Sequence, residues 1–436
     1  MITTIDLRGT QPSGADYLNL VPRPGIDVAV ATAMAGELVE AVRLEGSVAL
    51  MDQAERFDGV RPDRLRVSGE EIARSVAELP AEVREALEES IDRVQRASRA
   101  QVPAEQTTPI GPGASIVQRW QPVARAGLYV PGGKAPLASS VVMNAVPAQI
   151  AGVTSIALAS PPQKEFGGSV HPTILGAAGL LGLDEVYAMG GAGAIGALAW
   201  GVEEIGLEPV QLITGPGNVY VAAAKRVVRG RVGIDSEAGT TEILVIADAR
   251  ADHRLVAADL LSQAEHDEAA AALLVTDSAE LADRVLAELG DIVARTRHSA
   301  RAKTALAGPQ SAIVLVDGLD QAAAFSNAYG PEHLEIQTED PDSVLSLIDN
   351  AGAIFIGPNS PVSLGDYLAG SNHVLPTGGQ ARFSSGLGAY SFLRPQQIIR
   401  YDSAALRQVS DKIVALSSAE NLPAHGEAVS ARFEQS

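Results

Sequence analysis

Two hydrophobic rhythms divide this chain. Through residues 27–100 apolar positions recur at i, i+3 and i+4, the period of a helix with one buried face, as in VAVATAMAGELVEAVRLEG. SGEEIARSVAELPAEVREALEESIDRVQRASR opens with a serine followed by acids, the composition of a helix start, and predicts further helices that are acidic outside.

From residue 113 short apolar runs alternate with helical ones. SIVQRWQPVARAGLYVPGG predicts short strands ending in a Gly-Gly turn, then a helix at SSVVMNAVPAQIAGV, a strand at TSIALAS, a helix at HPTILGAAGLLG and a strand at EVYAMGG. AIGALAWG predicts a helix, VQLITGPGN a strand and loop, and VYVAAAKRVVRG a helix. After the loop GIDSEAGTTE come strands at EILVIAD, AALLVTD, SAIVLVD, HLEIQTE and AGAIFIG, with helices at HRLVAADLLSQAEHDEAA and SAELADRVLAELGDIVARTR. Such alternation builds parallel sheets with helices on both faces, here as two α/β domains. From about residue 389 the pattern is irregular and helical and ends in a polar tail. That piece is too small to fold alone, so it is expected to pack on another domain or on a second subunit.

Composition sharpens this picture. A length of 436 residues exceeds what one core supports, and 42 glycines against 4% aromatics suit tightly packed α/β units with glycine-rich turns. A net charge of −20 with scattered Lys and Arg argues against a nucleic-acid or anionic-membrane partner. The absence of cysteine excludes disulfides, thiolate ligands and a thiol nucleophile, so any metal must use His, carboxylates or amides. The N-terminus has neither a basic nor an apolar leader region and no run is long enough to span a membrane, so the cytoplasm is the expected compartment.

Several constellations could carry chemistry. Gly191, Gly193 and Gly196 match a dinucleotide fingerprint, but the following strand ends in Thr214 and Gly215 where the fingerprint wants an acid; glycine-rich packing is the alternative. Gly215-Pro216-Gly217-Asn218 offers free N–H groups at a helix start, suited to an anion or simply to a turn. Tyr129 to Gly133 ends another strand, where open α/β sheets bind ligands. Glu332 and His333 are adjacent bases of different strength, useful for two proton transfers or merely a surface pair. Gly365-Asp366-Tyr367 and Gly370 to His373 form a polar, glycine-rich stretch amid apolar sheet sequence. Gln263 and His266, three apart on a predicted helix, face the same way and could reach one ion. Two ligands cannot hold a divalent metal; Asp366, His373, His333 and His425 are the sources of the rest, and a solvated helical face is the competing reading.

Taken together, YVPGGKAPLASSVVMNAVPAQIAGV, ITGPGNVYVAAAKR, DLLSQAEHDEAA, NAYGPEHLEI, PVSLGDYLAGSNHVLPT and NLPAHGEAV occur in the order in which the histidinol dehydrogenase family carries them. The resemblance covers nearly the whole chain. It implies a zinc-dependent homodimer that oxidises L-histidinol through histidinal to L-histidine in two successive NAD+-dependent steps. It implies one zinc per subunit, held by Gln263, His266, Asp366 and His425, with the C-terminal His supplied by the other subunit. In the family the metal holds the substrate's imidazole and amine, so its role is orientation. The resemblance casts His333 as base in both hydride steps and Glu332 as activator of the water that adds to the aldehyde. Thr241, Gln263, His266, His333, Asp366, Glu420 and His425 would contact the substrate, and Tyr129, Gly193 and Asn218 would lie at NAD+.

The implied organisation is an N-terminal arm at 1–22, a discontinuous α/β domain at 23–126 and 238–388 with the catalytic and zinc residues, an NAD-binding α/β domain at 127–237, and a dimerisation segment at 389–436. Four positions depart from the family pattern. Gly193 replaces a glutamine that touches the cofactor, Thr241 takes the hydroxyl position of a motif that usually contains proline, Asn359 stands where an aromatic is common, and Lys134 lies in a variable spot. These departures leave room for a paralogous zinc- and NAD-dependent dehydrogenase of another small polar alcohol. A non-catalytic metal- or nucleotide-binding protein is the other class; it would have no need of Glu332 and His333 together.

Overall fold

A computed structural model describes residues 2–23, 28–133, 135–237 and 239–433. The chain divides into two compact units, Met1–Gln101 with Ala124–Phe392 and Val102–Val123 with Leu393–Ser436. Among the described residues no helix is long and apolar enough to cross a membrane.

The larger unit contains two parallel sheets. The first has the order Thr3–Asp6, Ala312–Leu315, Ala271–Thr276, Glu242–Ala247, His333–Gln337, Ala353–Ile356. The second has the order Val186–Ala188, Ser155–Ser160, Arg125–Tyr129, Leu212–Thr214, Gly233–Ile234. Apart from the added N-terminal edge strand, both follow the same winding: the chain runs outward from a central strand, returns, and continues on the other side. This is the doubly wound arrangement, with the topological switch between Glu242–Ala247 and His333–Gln337 in one sheet and between Arg125–Tyr129 and Leu212–Thr214 in the other.

Alternation along each strand explains how both faces of the first sheet are buried. Ile243, Val245 and Ala247 join Val256, Ala257 and Leu260 of the helix His253–Ala264 in one core. Leu244 and Ile246 join Phe325 and Tyr329 of the helix Leu319–Tyr329 in the opposite core. In HLEIQ the register pairs His333 with Ile243, Glu335 with Val245 and Gln337 with Ala247. Leu334 and Ile336 therefore fill the second core, and three polar residues face the helix His253–Ala264. The helices Val28–Glu45 and Ser47–Phe57 contribute Ala35, Val39, Val42 and Leu50 to the core of the second sheet.

The smaller unit is built on an antiparallel three-stranded sheet. Leu393–Tyr401 pairs with Ala114–Pro122, which pairs with Gln106–Gly111. The helices Ser403–Ala419 and Pro423–Ser430 pack together, and Asp402 caps the first by accepting from the Ala405 amide at 2.8 Å. The sequence pattern predicts no strand after residue 389, but LRPQQIIRY forms one, and its Pro395 is tolerated because the strand lies at the edge of its sheet.

Candidate functional site

The acid–base residues lie at the amino ends of the first sheet's strands. Gly330, at φ 59°, ends the helix Leu319–Tyr329 in a left-handed turn, and Pro331 then releases the chain into the strand that opens with His333. The helix His253–Ala264 runs back along the sheet, so its C-terminal end, with Gln263 and then His266, arrives at the same edge. The negative end of a helix dipole favours a cation there.

One hydrogen-bonded chain connects these elements. Gln263 Nε2 donates to Thr241 Oγ1 at 2.7 Å, and Thr241 Oγ1 donates to Glu332 Oε2 at 2.6 Å. The same carboxyl oxygen accepts from the Glu242 amide at 2.9 Å. Burial pushes the Glu332 carboxyl up to about 8, against the lowering effect of its Thr241 and Glu242 donors. Because Oε2 accepts twice, a proton on Glu332 belongs on Oε1.

His333 is shifted the other way. Burial lowers its pKa, with the Asp366 charge opposing. Its Nδ1 lies 3.1 Å from the Glu242 carbonyl, which can only accept, so the neutral ring carries its proton on Nδ1 and presents a bare Nε2. Nδ1 is 3.5 Å from Glu332 Oε2. With one partner shifted up and the other down, the pair is neutral at pH 7, a proton donor beside a proton acceptor.

The candidate metal ligands separate by what their atoms already do. His266 Nδ1 donates to the Ser262 carbonyl at 3.0 Å, which leaves Nε2 for a ligand, the usual arrangement of a metal-bound imidazole. Thr241 has a single proton and directs it at Glu332, so it must accept from the Gln263 amide nitrogen, and the carboxamide oxygen points elsewhere. Asp366 ends the helix Val362–Tyr367 half-buried, and its carboxylate has no hydrogen-bond partner among the described residues. His373 donates from Nδ1 to the Asp366 carbonyl at 2.9 Å, and its Nε2 stands 3.0 Å from Ser140 Oγ, so both ring nitrogens are engaged. His373 also senses the charges of Asp366, His333 and His266, which places the four groups in one neighbourhood. Glu420 and His425 belong to the smaller unit, where both are exposed. Among the described residues no group of three His, Asp or Glu side chains is gathered to hold an ion.

The second sheet gathers its glycine loops at the carboxyl ends of its strands. Tyr129 is buried and its hydroxyl accepts from the Gly191 amide at 3.2 Å; burial pushes that hydroxyl up to about 12. Gly215, at φ 118°, brings the chain against the Tyr129 carbonyl, where a Cβ would collide. Lys225, fully buried, donates to the Gly215 carbonyl and to Asp235 Oδ1, and Asp235 Oδ2 accepts from the Gly215 amide at 2.8 Å. Asn218 caps the next helix through Oδ1, 3.0 Å from the Tyr220 amide, and is otherwise exposed. Gly193 is buried in the helix Gly191–Trp200 against Leu50 and Gln53, where a Cβ would collide with the Gln53 side-chain oxygen. Asn359 is exposed, and Lys134 lies outside the described residues. Residues to which sequence reasoning gave no role are Glu242, Asp259, Lys225, Asp235, Glu335 and Gln337. For Glu242, Glu335 and Gln337 the signal was present as charged or amide side chains inside otherwise apolar strands.

Two sheets of one winding, one presenting glycine loops at a switch point and the other an acid–base pair with opposed pKa shifts, define an α/β protein with an acid–base site. A family model described as histidinol dehydrogenase matches residues 21–433. The chain is 72% identical over 432 residues to the histidinol dehydrogenase of Leifsonia xyli subsp. xyli, covering 99% of each chain. It is 54% identical to that of Nocardia farcinica, covering 99% of this chain and 98% of the other. Among solved structures, histidinol dehydrogenase from Elizabethkingia anophelis superposes with a TM-score of 0.91 at 33% identity, covering 99% of this chain and 98% of the other. The chain belongs to the histidinol dehydrogenase family.

Proposed function

We propose that this enzyme oxidises L-histidinol to L-histidine through histidinal, in the cytoplasm, with NAD+ as acceptor and zinc as resident metal. The observation that carries this reading is the neutral Glu332–His333 pair at the edge of the sheet, beside Gln263, His266 and Asp366.

In the first step His333 Nε2 takes the alcohol proton as the carbon-bound hydrogen leaves as hydride. In the second, Glu332, once ionised, removes a proton from the water that adds to the aldehyde, and His333, having released its first proton to solvent, accepts the remaining hydroxyl proton as the second hydride leaves. Retaining histidinal between steps keeps a reactive aldehyde from solvent. NAD+, when bound, supplies the hydride acceptor; Tyr129 and Asn218 are its proposed contacts, at the switch point of the second sheet, whereas Gly193 is packed against Leu50 and Gln53.

Zinc, when bound, supplies orientation of the substrate's imidazole and amine. The free nitrogen of His266, the carboxamide oxygen of Gln263 and the unpartnered Asp366 carboxylate fit the donor types zinc accepts. Three donors leave the set one short, and His425 of a second copy of the chain is the proposed fourth, with Glu420 of that copy contacting the substrate. Exposed Ile399, Leu416 and Leu422 on the same unit support its use as a dimerisation surface.

NADH formation with L-histidinol, followed to completion, tests the reading. The expected yield is two NADH per histidinol with no free aldehyde trapped by semicarbazide. Oxidation of other amino alcohols but not of histidinol would overturn it.

A further inference from the structure

Behind the acid–base pair lies a second pair of acids, one buried and one half-buried, that the reaction does not use. Glu335 follows His333 by two residues on the same face of the strand and is almost fully buried. The half-buried carboxyl of Asp259, on the helix His253–Ala264, lies beside it. Gln337, two residues further, donates from Nε2 to both, at 3.0 Å to Glu335 Oε2 and 3.1 Å to Asp259 Oδ2. Glu335 Oε1 accepts from the Val362 amide at 3.0 Å. Two carboxyls side by side, one buried and one half-buried, favour sharing a proton over ionising together. Burial accordingly pushes both upward, Glu335 to about 8.

The position of this contact gives it a consequence. Asp259 precedes Gln263 by one helical turn, so both project from one face of their helix. Val362 opens the short helix that ends in Asp366 and Tyr367. Helix, strand and short helix, each bearing a residue of the proposed site, thus meet at one hydrogen-bonded point.

We propose that Asp259 and Glu335 are positioning residues, a proton-sharing clasp that fixes the helix of Gln263 and the helix of Asp366 against the strand of His333. The clasp rests on the reading of those residues as zinc ligands and base. It sets their separations from behind and touches neither substrate nor metal. Outer partners of this kind typically contribute roughly 10–100-fold in metal affinity or activity.

The test uses the full-length protein and zinc itself, with affinity measured by chelator competition alongside turnover of L-histidinol. Asp259→Ala is expected to lower zinc affinity and kcat, each by roughly 10–100-fold, while the NAD+ dissociation constant, read at the other sheet, stays at the wild-type value. Asp259→Asn, whose amide still donates to Glu335 and whose oxygen still accepts from Gln337, should restore most of both. Wild-type zinc affinity and kcat in Asp259→Ala would overturn the clasp, as would an Asn variant as impaired as the alanine. If the alanine variant does not fold, Gln337→Met removes only the amide that donates to both acids; a smaller fall in zinc affinity is expected, and none would overturn the proposal. A wild-type protein with neither bound zinc nor histidinol turnover is a different pattern, one that sinks the functional reading and the clasp with it.

Discussion

Thr241 Oγ1 stands 2.6 Å from Glu332 Oε2 and gives that oxygen its only side-chain donor among the described residues. The hydroxyl does two things at once. It stabilises the ionised form of Glu332, and by accepting from Gln263 it turns the carboxamide oxygen outward. Thr241→Val keeps the shape and removes both effects. The expected outcome is an alkaline shift of the Glu332 midpoint in the pH profile of kcat, a fall in zinc affinity as Gln263 becomes free to flip, and a stability loss of about 1–3 kcal/mol from the buried amide left without its acceptor. An unmoved profile would mean the hydroxyl does not tune Glu332.

The opposed shifts of Glu332 and His333 fix the sign of the pH dependence. Glu332 acts as a base only when ionised, and burial holds its midpoint at about 8. His333 is lowered, so it is already a free base throughout the neutral range. The kcat for histidinal oxidation should therefore rise as pH passes through about 8, and Glu332→Gln should abolish the rise together with the activity. Stability of the metal-free protein should move oppositely. A carboxyl raised from 4.5 to about 8 binds more proton folded than unfolded, so its contribution is present at low pH and is lost as pH rises through that window. Thermal melts of chelated protein across the same range check the second half.

Much of this site was legible in the sequence, and the limits are specific. The adjacency of Glu332 and His333 is local, and strand alternation in HLEIQ already aligned His333, Glu335 and Gln337 on one face. The partnership of Thr241 with Glu332 spans 91 residues and follows from strand order, which no local pattern encodes. The amphipathic helix Val28–Glu45 announced a buried face but not that it covers the second sheet, because periodicity names no partner. Gly191, Gly193 and Gly196 resembled a phosphate loop; in the structure the Tyr129 hydroxyl takes the Gly191 amide and Gly193 admits Gln53, both packing roles.

Base and ligand separate in a metal-content experiment. His333 uses Nδ1 on the Glu242 carbonyl and faces the site with Nε2, yet is read as a base; His266 has the same kind of arrangement on Ser262 and is read as a ligand. His333→Ala should lower kcat by roughly 10²–10⁴-fold with zinc content near wild type. His266→Ala should lose zinc, and excess zinc should partly restore its turnover. Zinc loss in His333→Ala with retention in His266→Ala would exchange the two roles.

Gly193 offers a test of how the cofactor side is packed. The family resemblance places a glutamine there at the cofactor, but here Gln53 occupies the space, with its Nε2 donating to the Leu38 carbonyl at 3.0 Å. A side chain at 193 must push Gln53 aside and cost that hydrogen bond, about 1 kcal/mol, in addition to any strain of overpacking. Gly193→Gln alone should lower the melting temperature and leave NAD+ affinity no better than wild type. Combined with Gln53→Ala, which vacates the space, the same substitution should recover the melting temperature and tighten NAD+, as read by fluorescence titration. Equal stability of the single variant and the wild type would mean that Gln53 is not seated over Gly193. Tighter NAD+ in the single variant would mean that the glutamine reaches the cofactor by a route that avoids it.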